Sequence, residues 1–239
     1  MANMISVLHN ENTILGLFWQ GPANTILSEP DQLYQLLTKL DKPLYVVQKG
    51  DQIGMTAQGS ITSQGDFSLI ACAPPLPIEQ LGNPDFRSAY RTNYAFYAGS
   101  MANGISSEEL VIALGKAGFL ASFGAGGCSP ARIESAIQKI KDSLPEQPFA
   151  FNLLNSPNEP ALERRTVELY LQHGIRVLEA SAYLMVSANL VWYRAAGLSQ
   201  GSNGEPVIGN RIIAKLSRKE VARRFLAPAP TEILNQLVN

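Results

Sequence analysis

The sequence from about residue 94 onward alternates short apolar runs with longer segments of helical spacing. Each apolar run has the length of a buried strand, and each segment between two runs carries apolar residues every three or four positions. Strands that alternate with helices predict a parallel sheet. The predicted strands are 94–101, 119–124, 148–154, 175–180 and 211–216, and the predicted helices are 106–116, 129–144, 159–173, 187–196 and 217–225.

Five such strand–helix units fit either a (β/α)₈ TIM barrel or a doubly wound α/β sheet. The barrel needs eight strands and typically about 250 residues. This part of the chain can therefore supply only about the first five β/α units of a barrel.

A different pattern precedes these units. A helix is predicted for 30–40, and a β-rich run at 43–48 is followed by a turn signal and a candidate hairpin partner at 52–57. A proline-rich connector at 73–77 closes this zone. We therefore expect a small α+β N-terminal region, 1–85, followed by a partial barrel domain, 86–239.

Composition excludes several classes of function. The 239 residues carry a net charge of -1 and no long basic run, so no nucleic-acid partner and no anionic membrane partner is expected. Two cysteines are too few for a secreted disulfide scaffold, and two histidines leave little for a metal site, so no metal is predicted. No apolar run reaches about 18 residues and no leader is recognised, which predicts a soluble cytoplasmic protein.

In parallel α/β folds, functional residues lie at the carboxyl ends of strands. Asn152, Glu179 and Lys215 each end an apolar predicted strand, so we expect all three to face one common mouth. The loop 99–104, rich in small residues, could approach a planar ligand closely, and Asn103 could offer it an amide.

Each of these residues has a structural alternative. The loop 99–104 could be an ordinary turn, and Asn152 could clamp a loop rather than touch a ligand. Glu179 and Lys215 could simply pair with each other. The glycines at 124–127 lack both the Walker pattern and the GxGxxG pattern, so they are weak evidence for a nucleotide site.

The run 98–127 (AGSMANGISSEELVIALGKAGFLASFGAGG) resembles the PfaD family of trans-acting enoyl reductases in polyunsaturated fatty acid and polyketide synthases. Further similar stretches lie, in the same order, at 152–163, 179–182, 214–218 and 224–230. The family is related to FMN-dependent enoyl-ACP reductases and to nitronate monooxygenases. The resemblance covers the chain from about residue 70 to its end and is looser before that.

The resemblance implies a TIM barrel that holds FMN at its carboxyl mouth. Asn152 would lie beneath the flavin, and Glu179 and Lys215 would lie beside its ring. NAD(P)H would supply the hydride, and the substrate would be an enoyl thioester on an acyl carrier protein of a synthase complex. The residues expected along the flavin are Ser100, Met101, Ala102 and Asn103.

The sequence also departs from the family. A Gly-Gly-His motif that would supply the proton donor, and two glycine-rich phosphate-binding strand ends, follow the Pro-Ala-Pro segment in the family but not in these 239 residues. The catalytic residue is therefore left unknown. We expect a fragment, a product of a split gene or a member that has lost catalysis, stabilised by a complementary barrel half or by forming a homo-oligomer. The alternatives are an interaction subunit without catalysis and a nitronate monooxygenase-like flavoprotein.

Overall fold

The computed structural model describes residues 16–238, which divide into two compact units after Leu81. The first unit contains a five-stranded antiparallel sheet with the order β3-β2-β5-β1-β4. Its core is formed by Trp19, Val47 and Leu69. The elements are β1 (Phe18–Gln20), α1 (Pro30–Leu37), β2 (Leu44–Lys49), β3 (Gln52–Thr56), β4 (Ser60–Thr62) and β5 (Phe67–Ala73), with single 3₁₀ turns at Ala23–Thr25 and Ile78–Gln80.

The predicted hairpin in this unit is confirmed, because β2 and β3 pair in register through Val46 and Met55. The predicted helix is present but ends at Leu37, three residues earlier than the apolar spacing indicated. Strands β4 and β5 were not predicted.

The second unit is an α/β structure around a five-stranded parallel sheet with the order β12-β9-β8-β7-β6. Its strands are β6 (Tyr97–Ala98), β7 (Leu120–Phe123), β8 (Ala150–Leu154), β9 (Val177–Ser181), β10 (Leu198–Gln200), β11 (Pro206–Ile208) and β12 (Arg211–Ala214). Its helices are α2 (Pro84–Tyr90), α3 (Glu108–Lys116), α4 (Pro130–Ser143), α5 (Pro160–Gln172), α6 (Ala188–Ala196), α7 (Lys219–Leu226) and α8 (Thr231–Val238). The α/β class and the parallel sheet are confirmed.

Serine caps explain where three of these helices begin. The side chains of Ser107, Ser129 and Ser187 accept hydrogen bonds from backbone N–H groups in the first turns of α3, α4 and α6. The helix predicted for 217–225 begins two residues later, at Lys219, and Ser217 does not cap it. The backbone stays extended through Arg218, with φ -131° and ψ 139°, so α7 begins at Lys219 without a side-chain cap.

Other differences lie at the ends of the barrel segment. The strand predicted for 94–101 is reduced to the two residues of β6, because 94–96 are irregular and the chain from Gly99 onward forms a loop. The β10–β11 hairpin and helices α2 and α8 were not predicted.

The two faces of the parallel sheet have different neighbours, and successive residues of a strand alternate between them. On the outer face, Phe123, Phe151 and Leu178 pack into the main core with the helices around the sheet. On the inner face, residues at the amino ends of the strands form a separate apolar cluster with two aromatic residues of α2. That cluster contains Leu120, Ala150, Val177, Ile213, Tyr97, Phe86 and Tyr90.

The sheet is curled rather than flat. Strands β6 and β12 are its two edges, and in a flat sheet four strand spacings would separate them by roughly 19 Å. Instead the Nζ atom of Lys215, just after β12, donates a hydrogen bond to the carbonyl oxygen of Ser100, just after β6, at 3.2 Å. The five strands therefore form a half-barrel. Its completion to a (β/α)₈ barrel stays a prediction.

No helix within residues 16–238 combines the length and the apolarity that crossing a bilayer requires.

Phe151 tests the role of the outer face. Its ring is fully buried between Phe123 and Tyr170. We expect Phe151→Ala to lower the free energy of unfolding by about 3–5 kcal/mol, measured by urea denaturation followed by circular dichroism. Leu154→Ala, at the partly exposed end of the same strand, is the control and should cost about 1 kcal/mol or less. Equal losses would show that the outer face is not the organising core.

Candidate functional site

A buried carboxylate is the centre of the inner face. Glu179 lies in β9 with 0% of its surface exposed, and five hydrogen-bond donors surround its two oxygens. Oε2 accepts from the backbone N–H of Ser100 at 2.9 Å and from the hydroxyl of Tyr97. Oε1 accepts from Nζ of Lys215 at 2.9 Å, from Oγ of Ser181 at 3.2 Å and from Oγ of Ser100.

These donors decide the ionisation of Glu179. Burial alone raises the pKa of the carboxyl group, but the hydrogen bonds from Ser100, from Tyr97 and from Lys215 outweigh burial, and the net pKa is lowered. Glu179 is therefore an anion at neutral pH. Because its oxygens are already occupied by five donors, it positions Ser100 and Lys215 rather than acting as an acid or a base.

Lys215 places a cation at the rim of this cluster. Its ammonium group bonds to Glu179 and to the carbonyl oxygen of Ser100, while 46% of the side chain is exposed. A methyl group built on Gly99 would lie 3.7 Å from this nitrogen. The cation is thus fixed by the buried carboxylate and still accessible from the carboxyl ends of the strands.

Two inner-face residues were missed by the sequence analysis. The Tyr97 hydroxyl donates to Glu179, and its pKa is raised by burial and by that bond. Ser122 in β7 is 1% exposed, and its buried Oγ has no hydrogen-bond partner among the described residues. The alternation of residues between the two faces of β6 and β7 could have revealed both, because it places Tyr97 and Ser122 on the same face as Glu179.

Asn152 acts as a clamp between strands. The side chain is 3% exposed, and its Oδ1 accepts a hydrogen bond from the backbone N–H of Gly126 at 3.2 Å. Its Nδ2 donates to Oγ of Ser181 at 2.8 Å and to the carbonyl oxygen of Glu179 at 3.4 Å. Of the two roles left open by the sequence, the contacts support the loop clamp.

The loop after β6 is held from below by the loop after β7. The backbone N–H of Asn103 donates to the carbonyl oxygen of Gly126 at 2.7 Å, and the backbone N–H of Gly104 donates to the carbonyl oxygen of Gly124 at 2.8 Å. Any side chain at Gly124 would meet the Met101 carbonyl oxygen at 1.7 Å. Asn103 adopts φ 57°, a conformation that asparagine tolerates better than most residues.

The structure thus brings Ser100, Glu179 and Lys215 into direct contact, with Asn152 connected through Ser181. Met101, Ala102 and Asn103 lie on the same loop with exposed surfaces. This arrangement offers a planar ligand an accessible backbone loop and one fixed cation. The flavin contacts assigned to these seven residues stay predictions.

Comparison with known proteins identifies the family. Residues 19–75 match the family described as fatty acid synthase subunit PfaD N-terminal domain. The chain is 40% identical over 218 residues, 91% of its length, to a polyunsaturated fatty acid synthase subunit of Thraustochytrium sp.. The chain belongs to the PfaD family. The resemblance predicted from the sequence is thereby confirmed.

Two bacterial relatives extend the comparison. This PfaD-family chain is 40% identical over 161 residues to polyketide biosynthesis protein PksE of Bacillus subtilis, which covers 67% of the chain. It matches the crystal structure of the enoyl reductase domain of MlnA, from the macrolactin biosynthesis cluster of Bacillus amyloliquefaciens, with 42% identity and a TM-score of 0.66 over 68% of its length.

The chain spans only part of each relative. It covers 14% of the length of the Thraustochytrium protein, 21% of PksE and 37% of the MlnA domain. The activities of the full-length relatives are therefore proposals when they are applied to this chain.

Glu179→Gln tests the carboxylate. We expect this substitution to lower the free energy of unfolding by about 2 kcal/mol at pH 7, because hydrogen bonds to a charged group are lost or weakened. The pKa of Glu179 is lowered in the folded state, so its ionised carboxylate stabilises the fold fully above the unfolded-state pKa of about 4.3. This stabilisation is lost as the pH falls through the folded-state pKa. The difference between the wild type and Glu179→Gln should therefore be full at pH 7 and shrink below about pH 4.

The measurement is urea denaturation at several pH values between 7 and 3.5. The control is Glu220→Gln, an exposed carboxylate at the start of α7, which should change the free energy of unfolding by less than about 0.5 kcal/mol. A Glu179→Gln difference that stays constant across this range would contradict an ionised Glu179.

Proposed function

We propose that this chain is part of an FMN-dependent enoyl reductase that acts in trans on carrier-protein-bound enoyl thioesters in polyunsaturated fatty acid or polyketide biosynthesis. The observation that carries the proposal is the half-exposed Lys215 cation, anchored by buried Glu179 beside the accessible loop that begins at Ser100. The 42% identity to an enoyl reductase domain supports the reaction class.

The residues fit the ring of a flavin. Ser100, Met101, Ala102 and Asn103 offer an accessible loop, and the glycines beneath it allow the close approach of backbone. When bound, FMN supplies hydride transfer from NAD(P)H to the β-carbon of the enoyl substrate. Lys215 would place a preorganised cation beside the ring and would stabilise negative charge there, because its position is already fixed by Glu179. Asn152 holds the glycine loop, and Glu179 holds both Lys215 and Ser100 in place.

The proton for the α-carbon is not assigned to a described residue. Tyr97 places a hydroxyl in the anionic cluster, but its proton is committed to Glu179 and its raised pKa makes it a weak acid. We therefore assign Tyr97 a positioning role.

A second candidate function is that of an interaction subunit without catalysis. Strands β6 and β12 each have one neighbour within the described sheet, which leaves two open edges. A complementary barrel half, a second copy of the chain or a synthase complex would cover them. No separate observation favours a nitronate monooxygenase-like flavoprotein.

Flavin binding tests the first function against the second. The chain is titrated with FMN, and quenching of flavin fluorescence is recorded. We expect saturable binding that weakens about tenfold or more in Lys215→Met, corresponding to at least about 1.4 kcal/mol, because the cation facing the ring is removed. Lys215→Arg should restore part of the affinity.

Lys219→Met is the matched control, because Lys219 is exposed at the start of α7 and makes no described contact with the cluster. It should leave the FMN affinity within about twofold. A chain with normal circular dichroism that binds no FMN would overturn the proposal that these residues form the flavin site and would favour the interaction subunit.

A further inference from the structure

A second concave site lies at the opposite ends of the strands. A cleft of about 480 Å³ is lined by the end of α2 and by the segments that lead into β8, β9 and β12. These are the amino ends of the parallel strands, whereas the Glu179 cluster lies at their carboxyl ends. Along β9, the step from Arg176 at the cleft to Glu179 in the cluster is three residues, roughly 10 Å of strand.

The cleft carries unneutralised positive charge. Its charged lining residues are Arg91, Lys141, Arg176 and Arg211, with Glu146 as the single carboxylate. The chain as a whole has 20 acidic and 19 basic residues, so this excess is local. Among the ion pairs between residues 16 and 238, none involves any of these five side chains.

The two central arginines come from adjacent strands. Arg211 pairs with Val177 in the parallel register, and its backbone N–H donates to the carbonyl oxygen of Arg176 at 2.8 Å. Arg176 is the residue before that register partner, and both arginines line the cleft. The amino ends of β9 and β12 therefore each bring one cation to this cleft.

Neutral groups hold these side chains in place. Nη1 of Arg176 donates to Oδ1 of the buried Asn210 at 3.2 Å, and Nη1 of Arg211 donates to the carbonyl oxygen of Ile208 at 3.0 Å. The Arg211 guanidinium also lies over the ring of Tyr90, 5.9 Å from its centroid. These contacts orient both guanidinium groups, leave their charge intact and leave further N–H donors free.

The remaining walls indicate the kind of anion. Apolar side chains at Leu144, Phe149 and Val177 line the cleft beside the cations. The volume falls within the range of small-molecule sites. Guanidinium groups match the geometry of phosphate oxygens with paired N–H donors, and an apolar wall suits an organic substituent.

We propose that this cleft binds a small organic phosphate monoester, whose phosphate group is held by the cations that line the cleft, Arg211 above all, and whose organic part packs on the apolar wall. Arg91 and Lys141 add long-range attraction from the rim. This site is independent of the flavin function proposed above, because it shares no residue with the Glu179 cluster.

Phenyl phosphate is the test ligand, since it combines a dianionic phosphate with an apolar ring. Binding to the whole chain is followed by ligand-observed NMR. We expect saturable binding at one site per chain, weaker binding of inorganic phosphate and no binding of phenol. Arg211→Gln should weaken phenyl phosphate at least about tenfold. Arg91→Gln, which removes a rim charge without a described structural contact, should weaken it about two- to fivefold.

The matched control is Arg165→Gln, which removes an exposed arginine of α5 outside the cleft and should leave the affinity unchanged. An FMN titration of the same samples keeps a failure of the flavin proposal distinguishable from a failure of this one. If Arg211→Gln does not fold, as judged by circular dichroism, the comparison of Arg91→Gln with Arg165→Gln decides.

Three outcomes would overturn the proposal. The first is an absence of saturable phenyl phosphate binding. The second is equal weakening by Arg91→Gln and Arg165→Gln, which would indicate nonspecific attraction. The third is binding of a hexaglutamate peptide in place of phenyl phosphate, which would identify the cleft as a docking surface for an acidic protein segment.

Discussion

The hydrogen bonds to one buried carboxylate connect the two edges of the parallel sheet. Glu179 lies in β9, yet it accepts hydrogen bonds from Tyr97 and Ser100 at one edge and from Lys215 at the other. A buried charge without partners costs several kcal/mol, so the fold is stable only when these donors converge. That convergence requires the sheet to curl, and the curl in turn creates the concave face on which the candidate site lies.

The inner face is divided into two layers by strand alternation. Residues near the amino ends of the strands are apolar and pack against α2, whereas the next inward-facing positions carry Ser122, Asn152 and Glu179. The apolar layer excludes water from beneath the polar one, which strengthens each hydrogen bond to the carboxylate.

The two concave sites of this unit differ in charge balance. At the carboxyl ends a cation is matched by a buried anion, and at the amino ends four cations face one exposed carboxylate.

The sequence was informative where a polar residue interrupts an apolar strand. Asn152, Glu179 and Lys215 were recognisable because burying each of them demands a partner, and parallel strands end at a common edge. Tyr97 was not recognisable in this way, since an aromatic residue in an apolar run is usually core. Ser122 was not recognisable either, because a single small polar residue is common within a strand and does not by itself indicate a site. Strand β6 was predicted too long, because the run 94–101 is apolar whether or not its second half pairs.

The sequence by itself determined the alternation of strands and helices, the parallel sheet and the family, because hydrophobic periodicity and local motifs depend on nearest neighbours along the chain. The starts of α3, α4 and α6 were likewise predicted to within two residues, since a helix start depends on contacts within four residues. Only the tertiary structure decided that Glu179 is a saturated anchor, that Asn152 clamps the glycine loop and that Arg176 and Arg211 form an unpaired basic cleft. These properties depend on which groups meet across residues far apart in the sequence, by 82 positions in the bond from Tyr97 to Glu179 and by 115 in the bond from Lys215 to Ser100, and no local pattern encodes that meeting.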